Sequence, residues 1–363
     1  MDAIFAVVSK LSNPRYEEDK VDWANFQLTA YIFAISSVLI TSYTYMGSAI
    51  KCWTPAEFRK GWIEYARDFC LIENTYYVAI DDPEMPNEKY REEKEIPYYQ
   101  WVPFVLVILA FLWYIPHLFW RSFNWWSGIQ VRAIVKASST LPVDEEERSK
   151  SLDKISEHIY RSAFDKNNVS HAPHKLTIFY LIMKGLFLLN IVFQIIILHV
   201  FLGFDWSDLL RLKLGFNTDW KSTGLFPRTT MCDFTIRNKG NLQRYSVQCV
   251  LAQNMFNEKI FLVLFYWILF LFIVTLLNTV IWMKQIFLKS DRRNYARRML
   301  ESAGYGEPER FDSRKDADDY DNFVTISGDS VVLLRLIASN AGDSVTSQLL
   351  KRLHDKVINK KND

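Results

Sequence analysis

Long apolar blocks alternate with charged stretches along this chain, and the length of the blocks decides the fold class. A bilayer core of about 30 Å takes about 20 mostly apolar helical residues to cross. Four runs meet that length: Leu28 to Tyr45, Trp101 to Trp120, Leu176 to Leu202 and Ile260 to Met283. The second and fourth carry almost no charge, which argues against buried helices of a soluble domain. The first is diluted by Ser36, Ser37, Thr41 and Ser42, small polar residues that pack against other helices or line water. The third is interrupted by Lys184. That run is longer than a bilayer, so Lys184 is expected near the cytoplasmic interface, its ammonium snorkelling to water. Tyr98, Tyr99 and Trp101 at one end of the second run, and Trp113, Tyr114 and Trp120 at the other, form an interfacial aromatic belt.

The pattern predicts an all-α membrane protein with four transmembrane helices, cytoplasmic termini, two outer loops and a helical cytoplasmic domain. It divides into an amino-terminal cytoplasmic segment (1–25), a first span (26–45), an outer loop (46–97), a second span (98–120), a cytoplasmic loop (121–175), a third span (176–203), a second outer loop (204–259), a fourth span (260–283) and a cytoplasmic carboxy-terminal region (284–363). Orientation follows from charge. Lys284, Lys289, Arg292, Arg293, Arg297 and Arg298 crowd the end of the fourth run against Asp291 alone, and basic residues beside a span stay in the cytoplasm. No cleavable leader pattern opens the sequence, since the apolar stretch from Ile4 to Val8 is too short. The first span is therefore expected to act as its own insertion signal.

Composition adds one restraint and the cysteines another. A formal net charge of +2 across 363 residues gives no polyanion-binding character, so no nucleic-acid partner is expected. Cys52 and Cys70 fall in the first outer loop, and Cys232 and Cys249 in the second. An even number of cysteines confined to one face reads as disulfides in an oxidising compartment. Three pairings are open to four cysteines, and spacing does not choose among them. No C-x-x-C spacing or paired histidine supports zinc, and no cofactor is expected. Nor does any run carry an embedded acid, base or metal set of the kind an enzyme needs.

Several longer motifs then identify a family. Tyr98-Tyr99-Gln100-Trp101-Val102 resembles the signature of the innexins, the invertebrate gap-junction proteins. The stretch from Ile50 through Cys52-Trp53-Thr54-Pro55 to Phe58, and Thr75-Tyr76-Tyr77-Val78, are similar to their first outer loop. Gly224-Leu225-Phe226-Pro227-Arg228, Cys232-Asp233-Phe234, Gln248-Cys249 and the run Phe256-Asn257-Glu258-Lys259 resemble their second. Pro116 and the tail segments around Leu333 and Asn340 fit the pattern too. Two cysteines per outer loop suit innexins and the related pannexins, whereas connexins carry three.

The resemblance implies a gap-junction channel subunit of the plasma membrane, placed at cell junctions. It implies a homo-oligomeric ring, eightfold for innexins, that docks to a second half-channel on an adjacent cell and passes ions and small molecules, with other innexins as further partners. It implies crossed disulfides, Cys52 with Cys249 and Cys70 with Cys232. It also implies an amino-terminal helix folded into the pore mouth as a funnel, built on Met1, Asp2, Ile4 and Phe5. Pro116 interrupts a helical pattern and is expected to kink the second span, as a gating hinge or as static shape. Two alternatives remain: an undocked pannexin-like half-channel, and a four-span adhesion or scaffold protein without a pore.

Other signals are weaker. His171 and His174 flank a proline in a polar loop and are expected to be solvated. The aspartates from Asp316 to Asp321 lack the glycine and glutamate that an EF-hand requires. The acidic-and-basic stretch near Asp144 reads as a solvated helix. The basic stretch from Lys284 to Arg298 orients the fourth span and attracts anionic lipid.

Overall fold

A computed structural model of the chain describes residues 18–46, 49–73, 75–78, 85–93, 95–161, 174–203, 225–304 and 328–362. Among them, four helices are long and apolar enough to cross a membrane. The first combines α1 (Lys20–Trp23), a π turn (Ala24–Leu28) and α2 (Thr29–Met46) without a break. It starts several residues before the apolar run does. Asp19 caps it, accepting a hydrogen bond from the Asp22 amide at 2.8 Å, and a capped helix can extend through polar sequence beyond its apolar face. The remaining elements are β1 (Lys51–Trp53), α3 (Lys60–Ile72), α4 (Glu88–Glu93), α5 (Tyr98–Phe123) with a 3-10 turn (Asn124–Ser127) after it, α6 (Val131–Ser139), α7 (Glu145–Ile159), α8 (Lys175–Leu202), β2 (Thr229–Asn238), β3 (Asn241–Val250), α9 (Ala252–Phe287), α10 (Lys289–Ser302), α11 (Gly328–Ala341) and α12 (Asp343–Asn362). Helices α5, α8 and α9 are the second, third and fourth spans.

The chain forms two compact units. One comprises Met1–Leu28, Trp113–Asn190 and Phe272–Asp363, the other Thr29–Leu112 and Ile191–Leu271. In the first, the cytoplasmic loop and tail fold together: α6 packs on α11, α7 on α12, and α10 and α11 on α12. Their apolar faces supply Ile134, Val135, Leu152, Ile155, Leu334 and Leu350 to one core. Hence α7 is not a freely solvated helix. Its charged face is in water, with Lys150 bonded to Glu146 one turn away, but Leu152, Ile155 and Ile159 are buried. Arg352 and Lys356 of α12 reach across to Asp153 and Glu157.

The second unit departs from a purely helical plan. Its outer-loop residues build a three-stranded antiparallel sheet in the order β1-β3-β2. Strands β2 and β3 pair along their whole length, from Thr229 opposite Val250 to Asn238 opposite Asn241. The two-residue turn between them, Lys239 and Gly240, has positive φ at both positions (49° and 91°), the geometry that matches the twist of a tight hairpin. Between the membrane helices of this unit, polar side chains satisfy carbonyls: Ser37 Oγ donates to Pro103 O at 2.8 Å and Gln194 Nε2 to Leu109 O at 3.1 Å. In the bilayer such groups have no water to turn to.

Candidate functional site

Two constructions in this fold are polar, built from distant parts of the chain, and tightly organised. The first is the outer sheet. Cys52 sits directly opposite Cys249 across the β1–β3 pair, and the two are joined as a disulfide. Cys70, buried on the inner face of α3, is joined to Cys232 of β2. Each bridge therefore ties the first outer loop to the second. The sulfurs of Cys52, Cys70 and Cys249 lie within 4.8 Å of one another, but with all four cysteines in bridges no thiolate remains there to ligate a metal.

The motif residues hold this sheet onto the helix ends. Tyr99 donates its hydroxyl to Cys70 O at 3.2 Å, and Gln100 Nε2 donates to Ile72 O at 2.9 Å. They thus satisfy carbonyls of the last turn of α3 that have no intrahelical donor. Gln253 Nε2 reaches Tyr99 O and Asn254 Nδ2 reaches Pro227 O. Arg228 pairs with the buried Glu258 at 3.2 Å. A polar cluster centred on Asp233 closes the edge. Arg91 Nη1, the Tyr76 hydroxyl and Arg244 Nη2 approach its carboxylate at 2.9, 3.0 and 3.2 Å, and Arg244 also pairs with Glu88. Burial works to raise the Asp233 pKa, but hydrogen bonds from Ser246, Arg91 and Tyr76, with the Arg91 charge, hold it below the usual carboxylate range. Burial and the same carboxylate push the Tyr76 phenol up to about 12, so it is a permanent donor.

The second construction lies where the first span begins, within the other unit. Lys184, on the third span, does not snorkel. It is fully buried, and its ammonium contacts Asp19 and Asp22 at 2.7 Å each and Asn278 Oδ1 at 2.6 Å. Three acceptors match its three donors. The Tyr180 hydroxyl donates to Asp22 at 3.1 Å and Trp282 Nε1 to Asp19 at 2.8 Å, and both rings flank the ammonium. Beside this set, Glu18 meets His117 Nδ1 at 2.5 Å, both nearly fully buried. In the π turn, Asn25 donates to Thr275 at 2.8 Å. A π turn inserts an extra residue into a helix, and this one directs Asn25, Phe26 and Gln27 inward together. Sequence reasoning missed this cluster because the partners are about 160 positions apart. The available signal was the pair of acids at the mouth of one span and the single lysine inside another.

Pro116 lies within α5, whose helix continues past it to Phe123, and the neighbouring His117 carries the contact to Glu18. Met1, Asp2, Ile4 and Phe5 lie outside the described residues, as do His171 and the aspartates from Asp316 to Asp321. His174 is exposed in the turn before α8.

A family model described as Innexin matches residues 18–357. Among curated relatives, Innexin-3 of Caenorhabditis elegans is 34% identical over 96% of this chain and 86% of its own length. Innexin unc-9 of the same organism is 33% identical over 98% of this chain and 96% of its own, and Innexin eat-5 is 32% identical over 95% and 88%. The match runs through both outer loops, all four spans and the cytoplasmic helices alike. This chain belongs to the innexin family.

Proposed function

We propose that this innexin works as the subunit of a gap-junction channel, with eight copies ringing a pore in the plasma membrane of one cell and the ring docking to its counterpart on the next. The observation that carries the docking step is the covalent closure of both outer loops into one sheet. Docking between rigid rims avoids the ordering entropy that flexible loops would lose on contact. Two bridges spanning 197 and 162 residues provide that rigidity before the rims meet, each contributing about 2–4 kcal/mol by restricting the unfolded chain. Trp53, Ile72 and Leu242 stand exposed on this unit. We assign them to contacts with the neighbouring subunits and the opposing rim.

Permeation is assigned to the ring's axis. The amino-terminal residues Met1, Asp2, Ile4 and Phe5 line its cytoplasmic mouth as a funnel. The buried Lys184 cluster supports that assignment, since it fixes the start of the first span and therefore the point from which the amino-terminal segment departs. Pro116, beside the Glu18–His117 contact, is proposed as a hinge in α5, with a static bend as the alternative. The outer loops carry no Asn-x-Ser/Thr acceptor, the lone match being Asn168-Val169-Ser170 in the cytoplasmic loop, so no glycan holds the rims apart.

Dye transfer between two apposed cells that each express the chain tests the reading. Transfer of a small dye together with junctional current is the expected result. Half-channel current without transfer, with a second innexin supplied, would instead establish the undocked alternative, and adhesion without any current the scaffold alternative.

A further inference from the structure

The basic stretch that follows the fourth span does more than orient it, because the fold converts it into a cleft. Lys284 at the end of α9, Arg297 and Arg298 of α10, and Arg335 of α11 line a cavity of about 580 Å³ together with Asp291 and Asn294. Four cationic side chains thus face one carboxylate, and that carboxylate lies 3.6 Å from Lys284. The Nε atoms of Arg297 and Arg335 are buried and find no hydrogen-bond partner among the described residues. Arg335 lies 4.2 Å from the centre of the Tyr295 ring. Burial lowers its pKa, the like charge of Arg298 adds to that, and Tyr295 and Asp291 oppose it. Asp343, Asp19 and Lys20 stand in the adjoining cleft that shares Arg335. They leave the Arg297–Arg298–Lys284 side short of negative charge.

A half-buried guanidinium with unused donors beside another cation is costly unless an anion completes it. The remaining lining is Gln285 and Ile281, the latter exposed on the last turns of α9, and Phe287 and Leu288 are further exposed apolar residues at that helix end. Cationic donors therefore sit at the depth where a membrane helix leaves the apolar phase, which is the depth of lipid headgroups.

We propose that this cleft binds a multiply charged phosphate group, with Arg335, Arg298, Arg297 and Lys284 as its ligands. A phosphorylated inositol lipid of the inner leaflet is the source that satisfies both the donors and the apolar wall. A soluble inositol phosphate shares the headgroup chemistry but not the acyl chains. The proposal is independent of docking and of pore formation.

The test uses the full-length assembled protein in nanodiscs. Binding is measured for a fluorescent phosphatidylinositol bisphosphate in the disc lipid, and separately for soluble inositol trisphosphate, each at low and raised salt. Arg298→Gln and Lys284→Gln are each expected to weaken binding about fivefold, from about 1 kcal/mol per basic residue at a membrane surface. Arg121→Gln, an exposed cation at the end of α5 outside the cleft, is expected to leave it unchanged and controls for general surface charge. Arg335→Gln is read alongside its elution profile, because it also removes the contact with Tyr295. Tighter binding of the lipid than of the soluble phosphate identifies the lipid as source, and equal binding identifies the free phosphate. Phosphatidylserine binding as tightly at matched charge, or Arg298→Gln behaving like Arg121→Gln, would overturn the site.

Discussion

Replacing Lys184 by methionine tests the buried charge cluster most directly. The substitution keeps the length of the side chain and most of its packing between Tyr180 and Trp282, but removes three contacts of 2.6–2.7 Å. Asp19 and Asp22 are then left buried side by side without a counter-charge. Removing one partner of a buried ion pair costs about 3–5 kcal/mol, most of it the penalty of the stranded charge. Neutralising the acids in the same background should return most of that loss. Asp19→Asn keeps a side-chain oxygen to cap α1, and Asp22→Asn keeps an acceptor for Tyr180. In the triple variant Lys184→Met, Asp19→Asn, Asp22→Asn, the residual cost should be about 1–2 kcal/mol, the worth of one or two ordinary hydrogen bonds. The assay is the temperature at which the detergent-solubilised protein loses its monodisperse elution peak. The expected order is wild type highest, triple variant close below, single variant far below both. A Lys184→Met protein as stable as wild type, or a triple variant no better than the single, would refute the claim that the ammonium neutralises these acids.

Four further outcomes are expected. Cys52→Ser and Cys249→Ser should impair dye transfer equally, with the double variant little worse, because one bridge cannot be broken twice; the same should hold for Cys70 and Cys232, and additive losses within either pair would contradict the crossed bridges. Because the folded pKa of Asp233 is lowered, its contribution is complete above the ordinary carboxylate value of about 3.9 and lost as pH falls through the lowered one. The difference in thermal midpoint between wild type and Asp233→Asn should therefore hold steady from pH 7.5 to 5.5 and shrink only below about pH 4. Deleting Met1 to Lys10 should preserve assembly and alter single-channel conductance, and an unchanged conductance would remove this segment from the pore. Gln243→Thr makes Asn241 a glycan acceptor at the exposed start of β3 without touching the positive-φ turn; transfer between cells should fall more than single-membrane current, and an equal fall in both would argue that the hairpin does not face the partner.

The solvent that each segment meets is legible in local stretches of the chain. Twenty-residue apolar runs, the basic cluster after the last of them and cysteines confined to two loops are local features, legible because bilayer thickness and charge placement act on short windows of chain. The outer-loop motifs carried the family for the same reason. Which distant groups meet is a property of the folded chain. Lys184 reads as a snorkelling lysine until the fold brings Asp19, Asp22 and Asn278 to its ammonium, since nothing in a window around residue 184 contains a counter-charge. The β2–β3 hairpin was equally hidden. Its strands alternate strictly between buried and less buried positions only in the halves that carry the bridges, Thr229 to Phe234 and Tyr245 to Val250, and the halves next to the turn show no such alternation; two covalent bridges and cross-strand hydrogen bonds hold the whole. The acidic α7 reads as a solvated helix in the sequence because its three buried apolar residues need α12, about 200 positions away, to become a core. Likewise the basic stretch after the fourth span became a lined cleft only when Arg335 of α11 was folded against it. Periodicity and composition are properties of the chain, whereas ion pairing, bridging and cavity shape are properties of contacts, and contacts between remote segments exist only in the folded state.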